Sequence, residues 1–304
     1  MTALTAAAPA ALDTGDTAWL LAASALVLLM APGLALFYGG MVRSKSVLNM
    51  MMMTFGSLAV ITLLWVLVGY SLAFGDDVGA GLLGSPTQYA GLGQLMSSDS
   101  NGGSTVPLIL FAAFQGLFCV ITGALVSGAI ADRARFGAWL VFVSVWTLLV
   151  YAPVAHWVFD RSADGHTGGW LLNRVGLVDF AGGTAVEICS GASALALALV
   201  LGHRVGFGKD PMRPHNLTLV MLGAGLLGSA GSASTPAPRS APTRRRRSSS
   251  PRPWSPAPPG RSAGWSSSGC ATGTPRPWVR RPAWSPGWSR SPRPAARSRR
   301  SARW

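Results

Sequence analysis

Five stretches of the chain stay apolar for about twenty residues each and are parted by polar, charged or glycine-rich segments. They run over residues 17–41, 51–74, 105–131, 138–159 and 184–201. A helix needs about twenty mostly apolar residues to cross a bilayer core, and core helices of soluble proteins rarely recur in five such runs. The pattern predicts an all-α, polytopic membrane protein. A sixth run opens at Leu217 and stops at Leu227, too short to cross. Small residues gather inside the runs, as at Gly33, Gly39 and Gly40, at Gly123 and Gly128, and at Gly191, Ala192 and Ala194. They let helix backbones approach closely in lipid. Pro32 and Pro153 also fall inside runs, where neighbouring helices or water satisfy the carbonyls they free.

The charges between the runs orient them. The loops after the first, third and fifth runs hold Arg43 and Lys45, Arg133 and Arg135, and Arg204, Lys209 and Arg213. The loop after the second run has no Lys or Arg, and the loop after the fourth has Arg161 and Arg174. The positive-inside rule places the first set in the cytoplasm and the N-terminus outside. Residues 1–16 are therefore read as an extracellular segment. They carry no basic region ahead of an apolar stretch, so no standard cleaved leader is expected.

Composition divides the chain near Gly228. The whole has a net charge of +14, yet all eleven acidic residues precede Gly228 beside only nine of the twenty-five basic ones, which leaves that part at −2. The other sixteen basic residues are all Arg, between Arg239 and Arg303. The average basicity therefore does not describe the apolar part. The three cysteines, Cys119, Cys189 and Cys270, are odd in number and widely spaced, so they form neither a metal pattern nor a disulfide framework. No metal, cofactor or catalytic constellation is predicted, and the chain is not read as an enzyme.

The order of several motifs is more specific. Pro32-Gly-Leu-Ala-Leu-Phe-Tyr-Gly-Gly-Met-Val-Arg43 is followed by Gly69-Tyr-Ser-Leu-Ala-Phe-Gly75. Next come Ala113-Phe-Gln-Gly-Leu-Phe118 and Gly128-Ala-Ile-Ala-Asp-Arg-Ala-Arg-Phe136. Asp179-Phe-Ala-Gly-Gly-Thr184, Val205-Gly-Phe-Gly-Lys-Asp210 and Pro214-His-Asn216 complete the series. From about Asp16 to Leu227 the chain resembles the ammonium transporter family (Amt/MEP/Rh). The resemblance implies an eleven-helix fold of two inverted halves, of which residues 17–227 hold the first five to six helices. It also implies a homotrimer in the cell membrane, inner or plasma, with one ammonium or ammonia pore per subunit near the interface of the halves. A PII-type signalling protein is an implied partner at the cytoplasmic surface.

Five residues are candidates for the pore. Phe114 and Phe118 lie four apart and share a helix face. Alone that spacing means ordinary packing, but the family's two stacked pore phenylalanines occupy these positions, with Phe118 the inner ring and Phe114 the outer. Stacked rings can gate a pore while their faces attract a cation. At the outer cation site the family has Trp, and this chain has Phe159, which keeps a π face and loses the indole donor. Trp157 is a poor substitute, since it points elsewhere on a helix. Asp179 reads as a cap for the fifth helix, and the resemblance adds a place just below the outer site. Glu187 is the only Glu of the chain and lies in an apolar run. An acid inside a membrane is a functional candidate by default. The family has the first of two pore histidines here, or in some members Glu, which suits Glu187 to accept or relay a proton. His156, His166, His203 and His215 are read as solvated or hydrogen-bonded histidines that do not replace it.

Residues 228–304 read as a disordered Arg-, Pro- and Ser-rich tail with no apolar periodicity. The family would continue after Leu227 with a run such as Trp-Phe-Gly-Trp-Phe-Gly-Phe-Asn-Ala-Gly-Ser-Ala. Written in G/C-rich codons, with one T removed from the first Trp codon, that run becomes the sequence of residues 227–238. The tail is therefore read as out of frame, and the chain as an incomplete, inactive version of the transporter. The rival is a membrane protein that does not transport, either an ammonium sensor or an anchored basic arm for anionic lipid or nucleic acid. Trp254, Trp265, Trp284 and Trp288 show no nucleic-acid module pattern.

Overall fold

The computed structural model describes residues 12–96, 105–162, 166–210 and 212–234 of the chain. Helix α1 spans Thr14–Met41, α2 Ser44–Phe74, α3 Leu108–Ile130, α4 Phe136–Phe159 and α5 Gly183–Leu201. These five are long and apolar enough to cross a membrane. Helix α6 spans Leu217–Ser234. Short turns at Ala90–Met96 and Leu171–Val175 lie in the connections, and among the described residues there is no strand beyond an isolated bridge between Asp77 and Gly84.

The starts of α1 and α6 carry side-chain caps. Asp13 takes an extended conformation before α1, and its carboxylate accepts the Asp16 N–H at 2.9 Å. Asp13 N–H also donates to the Thr105 carbonyl at 2.8 Å, and the Thr105 hydroxyl donates to Asp16 at 2.6 Å. The outer starts of α1 and α3 are thereby joined. Asn216 caps α6 through its side-chain oxygen, which accepts Leu219 N–H at 3.2 Å.

Interior packing rests on aromatic residues with one polar atom each. Trp139 on α4 is 1% exposed, and its indole N–H reaches Ser57 Oγ at 2.9 Å and the Met53 carbonyl at 3.1 Å on α2. Trp65 on α2 donates to the Ala112 carbonyl of α3 at 3.0 Å. Tyr38 on α1 donates to the Leu125 carbonyl of α3 at 3.0 Å, and Trp146 on α4 to Ser193 of α5 at 2.9 Å. In an apolar surround an indole or phenol needs such a partner. Helices α1 and α6 pack closely. A Cβ on Gly40 would lie 2.6 Å from the Asn216 carbonyl oxygen and 2.7 Å from a Val220 methyl, so only glycine fits that crossing.

Helix α6 differs from the expectation. It does not stop at Leu227, and the disorder expected from Gly228 is corrected for residues 228–234, which continue the helix to Ser234. The side chains there are small rather than apolar, which hydropathy scores poorly, yet Ala230 is fully buried. Ser229 and Ser232 return their hydroxyls to the helix, bonding the Leu226 carbonyl at 3.0 Å and the Ser229 carbonyl at 2.7 Å. The remaining tail, 235–304, with its predicted disorder and its cysteine Cys270, lies outside the described residues, as do residues 1–11 of the N-terminal segment. Cys119 and Cys189 are buried free thiols.

Candidate functional site

Phe114 and Phe118 lie on α3 one turn apart, with ring centroids 5.0 Å apart and planes at 82°. The pair adjoins edge to face. The quadrupoles of two rings favour that arrangement over a face-to-face sandwich. Phe114 is buried in a cluster with Leu20, Ala23 and Val27 of α1, and Phe118 continues the packing toward Leu34 and Ile121. Phe159, at the end of α4, is half-buried against a different cluster that holds Leu108, Tyr151 and Cys189. Among the described residues no ring contact joins Phe159 to Phe114 or Phe118.

Asp179 has a clear local role. One carboxylate oxygen accepts the N–H groups of Gly182 and Gly183 at 2.7 and 2.8 Å, and the other those of Thr184 and Ala185 at 2.6 and 3.3 Å. These are orphan donors at the start of α5, and a carboxylate there also meets the positive end of the helix dipole. The turn needs Gly182 at a φ of +83°, the left-handed region that glycine enters without cost.

The first turns of α5, Gly183–Ile188, are wound as a π-helix before ordinary α geometry begins at Cys189. π turns inside helices are frequent at functional sites. Glu187 lies in this stretch and is exposed on a face of α5 that the other described helices leave uncovered. Among the described residues its carboxylate has no hydrogen bond or ion pair. A cleft of about 340 Å³ at the Arg204 end of the helices is lined by Tyr38, Met41, Met50, Gly128 and Arg204, and by none of the five candidates.

A second group escaped the reading of the sequence. Helices α2 and α4 both end in acids, Asp76 and Asp77 after Phe74 and Asp160 after Phe159. His166 sits between them, with Nδ1 on Asp76 Oδ1 and Nε2 at 2.9 and 3.0 Å from the two Asp160 oxygens. His156 is completely buried one turn before Asp160. Its Nδ1 lies 3.2 Å from the Ala73 carbonyl and 3.4 Å from Asp160, and its Nε2 faces Asp77 at 3.6 Å. Burial pushes the Asp160 carboxyl up to about 7, although His166 works against that. Burial also works against a charge on His166, but its bonds to Asp160 and Asp76 outweigh this and raise its pKa. The Asp77 carboxyl is opposed by burial yet held below the usual range by backbone N–H groups, that of Gly81 foremost. The visible signal was the His156–Asp160 spacing of four beside the Asp76–Asp77 pair, but nothing local places His166 against residues ninety positions earlier. Trp157, read as a poor substitute at the outer site, uses its indole to donate to the Leu82 carbonyl at 2.7 Å.

Residues 18–229 match the model of the Ammonium Transporter Family. An ammonium transporter of Mycobacterium tuberculosis (strain ATCC 25618 / H37Rv) is 54% identical over 245 residues, covering 73% of this chain and 51% of that protein. One from Aquifex aeolicus (strain VF5) is 49% identical over 223 residues, covering 73% and 49%. The crystal structure of Saccharomyces cerevisiae Mep2 aligns with a TM-score of 0.64 at 36% identity, over 74% of this chain and 50% of that one. A sensor Amt protein shares the fold, with a TM-score of 0.64 at 24% identity. The chain spans about half the length of the curated relatives it matches.

Proposed function

This chain belongs to the Ammonium Transporter Family and is a multi-pass membrane protein, and we propose that its helices form one half of a path for ammonium, with Glu187 as the proton-handling group. The observation that carries this reading is Glu187 itself, an acid within a membrane-length helix, without a partner among the described residues and on an uncovered face of α5. Asp179 supports it from eight positions earlier by fixing the first turn of α5. Phe114 and Phe118 provide the hydrophobic constriction, and Phe159 offers a ring face to a cation at the outer end. In this reading ammonium gives up a proton to Glu187 and crosses the constriction as ammonia. A trimer and a PII-type partner belong to the same proposal, supported by the family.

The test uses a strain lacking its own ammonium transporters. The 304-residue chain alone should not restore growth on limiting ammonium, because the covered length is half that of the relatives. A chain joining residues 1–227 to the second half of the Mycobacterium tuberculosis relative should restore it, and Glu187→Gln in the joined chain should abolish uptake. Wild-type uptake by that variant would remove Glu187 from the path. A changed reading frame at the codon for Gly228 is a further proposal, supported by the shift in composition there and by the family match ending at residue 229; the nucleotide sequence across that codon decides it.

A further inference from the structure

The outer acid–imidazole group bridges two segments distant in the chain. Residues 75–85 and 160–173 are already joined through their backbones. Asp77 N–H donates to the Thr167 carbonyl at 2.9 Å, and Trp170 N–H to the Gly81 carbonyl at 3.0 Å. Among the described residues the side-chain ion pairs across this junction use imidazoles, His166 with Asp76 and His156 with Asp77, and both rings also approach Asp160 on their own side of it. Among the described residues no Lys or Arg pairs with any of the three carboxylates. Gln88 holds Asp76 from the side, accepting its N–H at 2.6 Å and donating to its carboxylate at 3.1 Å. Among the described residues the remaining titratable groups that feel the cluster are the phenols of Tyr70 and Tyr89.

The geometry of His166 sets a proton count. Each ring nitrogen faces a carboxylate oxygen, and an ionised carboxylate only accepts. A neutral imidazole has one N–H, so it satisfies one of the two contacts. Both contacts require one more proton, on the ring or on a carboxyl. We propose that His166 is a proton-operated latch: one proton shared by His166, Asp76 and Asp160 closes the two outer segments on each other and positions the end of α4, with Phe159, while loss of that proton opens them. The positioning of Phe159 matters to ammonium only if the outer-site reading holds. The latch does not depend on it.

The sign follows from linkage. His166 and Asp160 both bind protons more tightly in the latched form. Stability from His166 is full below the ordinary imidazole value and is lost as pH rises through its raised one. The Asp160 contribution falls in the same direction, through about 7. The groups titrate as one unit, closed at acidic outer pH and opening toward alkaline pH. Asp77 stays ionised throughout this window.

The experiment uses the full 304-residue chain in lipid nanodiscs and reads no transport, so its failure is separate from failure of the ammonium reading. Imidazole NMR of the chain labelled at its four histidines follows protonation. Hydrogen exchange, corrected for intrinsic rates, follows peptides covering 75–85 and 166–173 from pH 5.5 to 8.5. His166 should keep its proton above the usual imidazole value of about 6.5. Protection of Asp77 and Trp170 amides should fall with rising pH, by up to about tenfold per unit for one linked proton, while α3 peptides stay unchanged. His166→Gln should reduce the pH dependence to the part that the buried Asp160 carboxyl contributes by itself. Asp76→Asn, which keeps a carbonyl acceptor and removes the charge, should shift it toward acid, and it decides the matter if His166→Gln fails to fold. Protection independent of pH in the parent chain, or a wild-type pH response in a folded variant, would overturn the latch.

Discussion

Helices α3 and α5 are alike in hydropathy, yet 61% of the most apolar stretch of α3 is buried within the protein and only 17% of that of α5. Helix α3 is enclosed by its own chain. Its Phe114, Cys119, Val120 and Ala124 are buried among α1, α2, α4 and the inner face of α5. Helix α5 turns Ile188, Leu195, Leu199 and Val200 outward. One lesson is that equal apolarity does not mean equal packing. Side chains around α3 answer to neighbours within this chain, whereas the outward face of α5, which also carries Glu187, does not. Stability should therefore reside in the enclosed region, and the proposed chemistry on the uncovered one.

The largest effect should come from the enclosed region. Trp139→Ala removes a ring that is 1% exposed and two indole contacts to α2. The cost should be about 3–5 kcal/mol, read as a lower unfolding temperature of the chain in detergent. Trp139→Phe, which keeps most of the ring and loses the hydrogen bonds, should cost about 1 kcal/mol. Ile188→Ala, at a position 64% exposed on α5, should cost far less than Trp139→Ala; equal losses would break the contrast between enclosed and outward-facing positions.

Next in size is the α1–α6 crossing. Gly40→Ala places a methyl group within 2.6 Å of the Asn216 carbonyl oxygen. Overpacking of this kind costs about 1–3 kcal/mol. Unchanged thermal stability would mean that α6 is not held against α1 as described. Smaller again is Asp179→Ala, which strips the cap from α5 and should cost about 1 kcal/mol. Faster hydrogen exchange of the Gly183 and Thr184 amides, without change in α3, would place the loss at the cap.

Much of this architecture could be read from the chain alone, because crossing a bilayer demands length and apolarity together. The run predicted at 105–131 became Leu108–Ile130, and that at 138–159 became Phe136–Phe159. Residues 228–234 were missed because Gly and Ser, which outnumber Ala there, score as neither apolar nor helix-forming, while their fit against a neighbour depends on size. The candidate site divides in the same way. Asp179 as a cap is a local matter of three to six residues and could be read. Edge-to-face contact between Phe114 and Phe118 depends on the rings' rotamers, which spacing does not give. His166 meets Asp76 across ninety positions, and only the paired ends of α2 and α4 bring them together.

The smallest effect on stability should be the most informative. Glu187 is exposed and without a partner among the described residues, so Glu187→Gln in the 304-residue chain removes no contact and should change stability by no more than about 0.5 kcal/mol. In the joined chain, the same change should abolish ammonium uptake while leaving expression and thermal stability in place. That combination requires a carboxylate whose importance lies in exchanging a proton, since Gln keeps the shape and a hydrogen-bonding amide. A large stability loss in the 304-residue chain would mean that Glu187 is held by a structural contact, and the uncovered face of α5 would then have to be reassigned from proton handling to packing.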